Sequence, residues 1–269
     1  MSDYLQNVLG VVNQTLRYNI VSNGFRDPAQ LVTKNKDFVH NLCQNIRKNA
    51  GGQAASRSIT AELEEMLEGT VWWIKYRYQT DRNQSLIEAT VDQVTAIMLW
   101  RQELVDRGDP DPTDVPKYTD RTQVREWFEA IHAFLEQKCG MSGFPIFHVV
   151  REDGNTPAVD AGFGLPSFDA DLQQRGRVGR GHFWRADNSY LFSFLGTKCH
   201  GTTAWNSISG FAAARDGRRA FWTLMNLFLG PNVKQLLMSR AETFLENARF
   251  DGRSRNFTFT EFVSRFRQA

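Results

Sequence analysis

Apolar residues recur three and four positions apart along almost the whole of this chain, the spacing of one face of an α-helix rather than the alternation of a strand. The first set is Leu5, Leu9, Val12 and Leu16. Asp27-Pro28 then supplies a favourable N-cap and first-turn pair for a short helix, and the pattern runs on to about Arg47 as a small bundle. Gly51-Gly52-Gln53-Ala54-Ala55-Ser56 has no periodicity and reads as a linker, after which Ser58 or Thr60 can cap a new helix. Its core face is Leu63, Leu67, Val71, Ile74 and Tyr78. A polar break from Thr80 to Ser85 precedes a second long helix with Ile87, Val91, Val94, Met98 and Val105 at helical spacing. These two helices are expected to form an antiparallel hairpin.

Asp109-Pro110-Asp111-Pro112, followed by Pro116, makes helix continuation costly, because each proline deletes an amide donor and restricts the residue before it. A domain boundary is expected there. Beyond it Val124, Trp127, Phe128, Ile131 and Leu135 mark another amphipathic helix, and the apolar run Phe144 to Val150 has no assignable state. Residues 151–186 are rich in glycine and weakly patterned. Further helices are expected at about 189–198, 202–211, 218–229 and 233–249, with Gly230-Pro231 as a stop signal. A last one opens near Thr258 and is still amphipathic at Ala269, the pattern of a chain that continues.

With 41% hydrophobic and 23% charged residues the chain can build a packed core, which excludes a disordered or fibrous class. No run approaches the roughly 18 apolar residues of a membrane span, and Met1-Ser2-Asp3-Tyr4 lacks the basic-then-apolar order of a secretory signal. A cytoplasmic protein without membrane contact is expected. Cys43, Cys139 and Cys199 are too few for a disulfide framework and wrongly spaced for zinc, so they are expected to be reduced core thiols, with no metal site. The sequons at Asn13, Asn83 and Asn256 have no secreted context to act in. His40 with Cys43, and Cys199 with His200, would make a nucleophile and base only if they converged in space with an orienting group. Packing or surface roles are the expectation for these pairs. No cofactor or small-molecule motif is present.

Charge is unevenly spread: residues 171–269 hold 15 Lys/Arg against 7 Asp/Glu, a net +8, while residues 1–170 hold 17 against 23, a net −6. That asymmetry favours contact with a polyanion, or with the acidic part of a second copy. Arg175, Arg177 and Arg180 lie in an Arg-Gly run whose glycines have neither the Walker lysine nor the dinucleotide spacing. They suit either an RNA-backbone contact or a solvated loop. Asp216 can cap a helix starting at Gly217 or Arg218, and the arginines beside it can instead pair with carboxylates of another subunit. The tryptophans are scattered at core-like positions, with one or two available as interface anchors.

Arg215-Asp216-Gly217-Arg218-Arg219-Ala220-Phe221, followed by Leu229-Gly230-Pro231-Asn232, resembles a block of the Gag (capsid) polypeptide of copia-type retrotransposons, notably those of diatoms and other algae. Other segments resemble the same family in the same order: Gly24-Phe25, Leu42-Cys43-Gln44-Asn45-Ile46-Arg47-Lys48, Gly140 to Arg151, and Phe257 to Val263. Lys198-Cys199-His200-Gly201 departs from the family's more polar stretch, and its zinc knuckle has no counterpart here. With the apolar spacing, the resemblance implies an all-α protein: a small helical module at 1–52, a helical hairpin at 58–108, and a capsid-like multi-helix region at 117–269. It also implies a non-catalytic structural role, self-assembly and RNA packaging, with Arg215, Asp216, Gly217, Arg218, Arg219, Gly230 and Pro231 as the block available for interfaces. The alternatives are a host-retained adaptor working through protein contacts, and a nucleic-acid-processing enzyme with an unrecognised site.

Overall fold

A computed structural model of the chain describes residues 1–49, 59–80, 89–119, 123–151, 168, 172, 182–231, 235, 238 and 239. The described residues form an all-α protein, as the spacing predicts, with ten α-helices and no strand. They are α1 (Ser2–Asn7), α2 (Gln14–Ser22), α3 (Pro28–Leu31), α4 (Lys36–Asn49), α5 (Ala61–Thr80), α6 (Val91–Arg107), α7 (Val124–Gln137), α8 (His182–Cys199), α9 (Thr203–Ile208) and α10 (Gly217–Leu229). The apolar run of unassigned state becomes a 3-10 turn at Ile146–Val149. The helices expected at 233–249 and beyond Thr258 lie outside the described residues, apart from single positions.

The chain divides into two compact units, Met1–Asp114 with His132–Asn188, and Val115–Ile131 with Ser189–Ala269. The first break falls inside the proline-rich stretch.

In the first unit, the helix expected through Leu5 and Leu16 is two helices instead. Gly10 takes a left-handed φ of 67°, Asn13 accepts from the Leu16 amide at 3.0 Å to start α2, and Val12 is 80% exposed. Arg17 fixes the break by donating from Nη1 to the Val11 and Val12 carbonyls, 2.8 Å each. The caps read from sequence do form: Asp27 accepts from the Ala29 amide and Thr60 from the Leu63 amide.

Residues 1–49 share one apolar core with the start of α5. Leu5, Leu16, Ile20, Phe25 and Leu31 pack there with Leu42 and Ile46 of α4 and with Leu67, Val71 and Ile74 of α5. Glu64 ties α4 to α5, its carboxylate 2.8 Å from His40 Nδ1 and 2.6 Å from Arg47 Nη2. Burial pushes Glu64 up, but hydrogen bonds from His40 and Arg47 outweigh it and hold the carboxyl below its ordinary value.

The opposite side of α5 carries an aromatic core in which Trp73 and Tyr76 meet Trp100, Phe144 and Leu172. Phe144 stacks on Trp100 with centroids 5.1 Å apart. Gly69 permits this approach, because a Cβ there would lie 2.5 Å from Met98 Sδ and 2.7 Å from Val94 Cγ1. The inward face of α6 is Val94, Ile97, Trp100 and Leu104, whereas Val91 and Val105, expected in the core, are 45% and 54% exposed. The face is rotated because the tryptophan, not the flanking valines, has the larger apolar area to hide.

The second unit is organised around Trp127, Phe128, Leu195 and Phe221. Tyr118 lies against Trp127 and Phe228, and Phe128 meets Phe221 edge-on. The Gly69→Val substitution is expected to lower stability by about 2 kcal/mol through overpacking against Val94 and Met98, measured as a lower urea midpoint.

Candidate functional site

The positions expected to carry function separate into three groups. Arg175, Arg177 and Arg180 lie outside the described residues. Asp216 caps α10, accepting from the Arg219 amide at 3.1 Å, with Arg219 Nε 3.4 Å from its other oxygen. Asp216 thus meets otherwise unpaired amides and opposes the positive helix end. Arg215, at φ 47°, and Arg219 are exposed, while Gly217 is buried. At the far end Gly230 donates its amide to the Asn226 carbonyl, and a Cβ at Gly230 would come within 2.3 Å of that oxygen. Pro231, which follows, is exposed. The block is therefore one helix with a built start and a built stop, and its two ends do not converge on a pocket.

The nucleophile-and-base pairs do not form. His40 is engaged by Glu64, and His200 lies against the Trp205 ring at 5.6 Å. Burial pushes the thiols of Cys43 and Cys199 up to about 12, so they are protonated at neutral pH and poor nucleophiles.

One polar chain in the first unit is not foreshadowed by any spacing in the sequence. The Gln79 amide donates to His148 Nδ1 at 2.9 Å, and His148 Nε2 donates to Asp187 Oδ2 at 3.0 Å. Asp187 Oδ1 accepts from the Met141 amide at 2.9 Å. All three side chains are at most 2% exposed. A carboxylate, an imidazole and a third group in line is the layout of a hydrolytic triad, but here the third group is an amide, which is no nucleophile. The chain instead pins the end of α5, the turn at Ile146–Val149 and the start of α8. Gly140 is required beside it, since a Cβ there would sit 2.3 Å from Asp187 Oδ1. The signal for it in the sequence is a lone histidine inside an apolar run, His148 among Ile146, Phe147, Val149 and Val150.

The second unforeseen cluster lies where α5 meets α6. Trp72 has Lys75 Nζ 4.3 Å and the Arg101 guanidinium carbon 4.8 Å from its ring centroid, while its indole N–H points to Glu68 Oε1 at 3.4 Å. A cleft of about 400 Å³ is lined here by Lys36, Glu65, Glu68, Trp72, Met98, Arg101, Gln102 and Val105. Lys75 is buried, and that burial, then the Arg101 charge, brings its ammonium down to about 8 against the opposing pull of Glu68.

Among the described residues no three His, Cys, Asp or Glu side chains are grouped to hold a metal ion, and no helix is long and apolar enough to cross a membrane. Compared with protein-family models, with curated proteins and with solved structures, the chain matches none.

Removing one partner of the buried chain leaves the other polar groups unmet, so Asp187→Ala is expected to cost about 3 kcal/mol or more in chemical denaturation. Lys75 regains its ordinary value of 10.5 on unfolding, so the folded protein carries a cost that is fully present below pH 8 and fades as the pH rises toward 10.5. Stability is therefore expected to gain about 3 kcal/mol from this group across that window. Lys75→Met should gain about as much at neutral pH and lose this pH dependence.

Proposed function

We propose that this chain is a non-catalytic structural protein of the copia-type Gag kind, whose copies assemble with one another and package RNA. The observation that carries the reading is the colinear set of Gag-like segments, above all Arg215 to Pro231. The geometry of that segment supports it: α10 has its own cap in Asp216 and its own stop at Gly230, and it presents Arg215 and Arg219 outward. Leu227 on the same helix is 45% exposed. Such a helix offers a charged end and an apolar position to a neighbour.

The charge division supports the RNA half of the reading. A net +8 over residues 171–269 favours a polyanion, and each phosphate contact releases counterions. Assembly of this type draws on repeated weak contacts whose strengths multiply, so no active site is required of the chain.

Purified protein examined by electron microscopy is expected to form regular particles, more abundantly with RNA present. A strictly monomeric species at high concentration with RNA would overturn the reading. The triple variant Arg215→Ala, Arg218→Ala, Arg219→Ala is expected to weaken RNA binding. Its slope of log affinity against log salt should fall by about 0.7 for each phosphate that is no longer neutralised.

A further inference from the structure

We propose that the cleft between α5 and α6 in the first unit is a binding site for one compact oxyanion, a carboxylate or a sulfate- or phosphate-like group, held by Arg101 and attracted by Lys75 across the Trp72 ring. The proposal does not depend on assembly or RNA packaging. Its first support is a pair of cations that make no direct ion pair with a carboxylate, Glu68 acting on Lys75 only at longer range. Lys75 and Arg101 both stand within 5 Å of the Trp72 centroid, and the contacts the structure gives them are with that ring rather than with a carboxylate. Arg101 Nε is also buried with no acceptor. A buried guanidinium N–H left unmet is costly, and a planar fork of donors suits an oxyanion better than it suits a ring face.

The second support is room. The cleft of about 400 Å³ is lined by Arg101 and Trp72, with Lys36 and Gln102 as further donors and Met98 and Val105 as apolar walls. That is within the size range of a small-molecule pocket. Trp72 is held in place by its N–H toward Glu68 and by Gly143, where a Cβ would fall 2.6 Å from the ring. The site is therefore formed before a ligand arrives, which lowers the cost of binding.

The ligand's class follows from the acids in the same cleft. Glu65 and Glu68 line it beside Lys36 and Arg101, so a second negative group on the ligand meets repulsion. One oxyanion is favoured and a polyphosphate is not. The charged groups around Lys75 are Arg101 of α6 and Glu68 of its own helix, with Glu65 and Lys36 further along the cleft. Loss of the Lys75 proton removes one attracting charge, so affinity declines as the pH rises through about 8.

The test is a titration of the ¹⁵N-labelled full chain with sulfate and with acetate, against chloride at equal ionic strength. The signals followed are the Trp72 indole N–H and Arg101 Nε–H. Saturable movement with sulfate, acetate or both, absent with chloride, is expected, and the arm that responds identifies the class of oxyanion. Tripolyphosphate is expected to bind no more tightly than sulfate. Arg101→Gln should abolish the response and Arg101→Lys should weaken it several-fold. Lys75→Met should weaken sulfate binding and remove its decline between about pH 7 and about pH 9.5. Movement that matches chloride, or a wild-type response in Arg101→Gln, overturns the site. Should Arg101→Gln fail to fold, wild-type affinity and pH dependence in Lys75→Met overturns it equally.

Discussion

Helix α5 is covered on so many sides that its polar groups cannot all look outward, and the first unit is arranged around meeting them inside. From Leu67 to Thr80 only Glu68, Trp72, Arg77 and Tyr78 escape full burial. One side faces the aliphatic core of residues 1–49 and another faces the aromatic core with α6. What remains is polar and deep. Thr70 donates to the Met66 carbonyl and accepts from the Tyr4 hydroxyl, Thr80 donates to the Tyr76 carbonyl, and Gln79 is met by His148. Tyr4, whose phenol burial pushes up to about 12, therefore stays protonated and serves as a donor. Each of these bonds adds little by itself, but leaving any one unmade at this depth would cost more than making it gains.

The same crowding sets the limit of what the sequence reveals. Helical periodicity finds a single stripe, and the stripe predicted for α5 is real: Leu67, Val71 and Ile74 are buried, with Leu63 and Tyr78 packed against them. It says nothing of a second and third stripe on the same helix, so it gives no place to Trp73, Tyr76 or Gln79. For α6 the pattern of valines and methionine is a plausible stripe displaced from the true one, because spacing alone does not weigh a tryptophan above a valine. Caps are legible since they are local, as Asp27, Thr60 and Asp216 demonstrate. The His148 chain is not, because Gln79 and Asp187 lie 69 and 39 residues from it. The cation cluster at Trp72 likewise depends on a lysine one turn along α5 and an arginine on α6, a juxtaposition that only packing creates.

The end of the proline-rich stretch makes a complementary case in the second unit. Pro116 has no amide to donate, yet its carbonyl takes the Trp127 indole N–H at 3.0 Å, and the Val115 carbonyl takes Lys198 Nζ. The Tyr118 amide then donates to the Lys198 carbonyl at 2.8 Å. Proline stops the helix, as the sequence announces, but the segment is no slack connector: side-chain donors capture the carbonyls that the missing helix would have used. Lys198 sits in a stretch that departs from the Gag-like pattern, and its role here is architectural.

Several titratable groups among the described residues are closed off by folding. The Asp187–His148 pair ends in an amide and is closed to solvent. Cys43 and Cys199, the buried thiols, are held protonated. What the described surface does offer is positive charge in defined places: the start of α10, where Arg215 and Arg219 are exposed beside Asp216, and the Trp72 cleft, where Lys36 and Arg101 stand with Glu65 and Glu68. Fixed cations beside preformed aromatic or helical supports act by attracting and orienting an anion, which requires no proton to move. For the assembly proposed for this chain, buried polar chains that hold each copy in one shape would keep contacts repeated between copies equivalent.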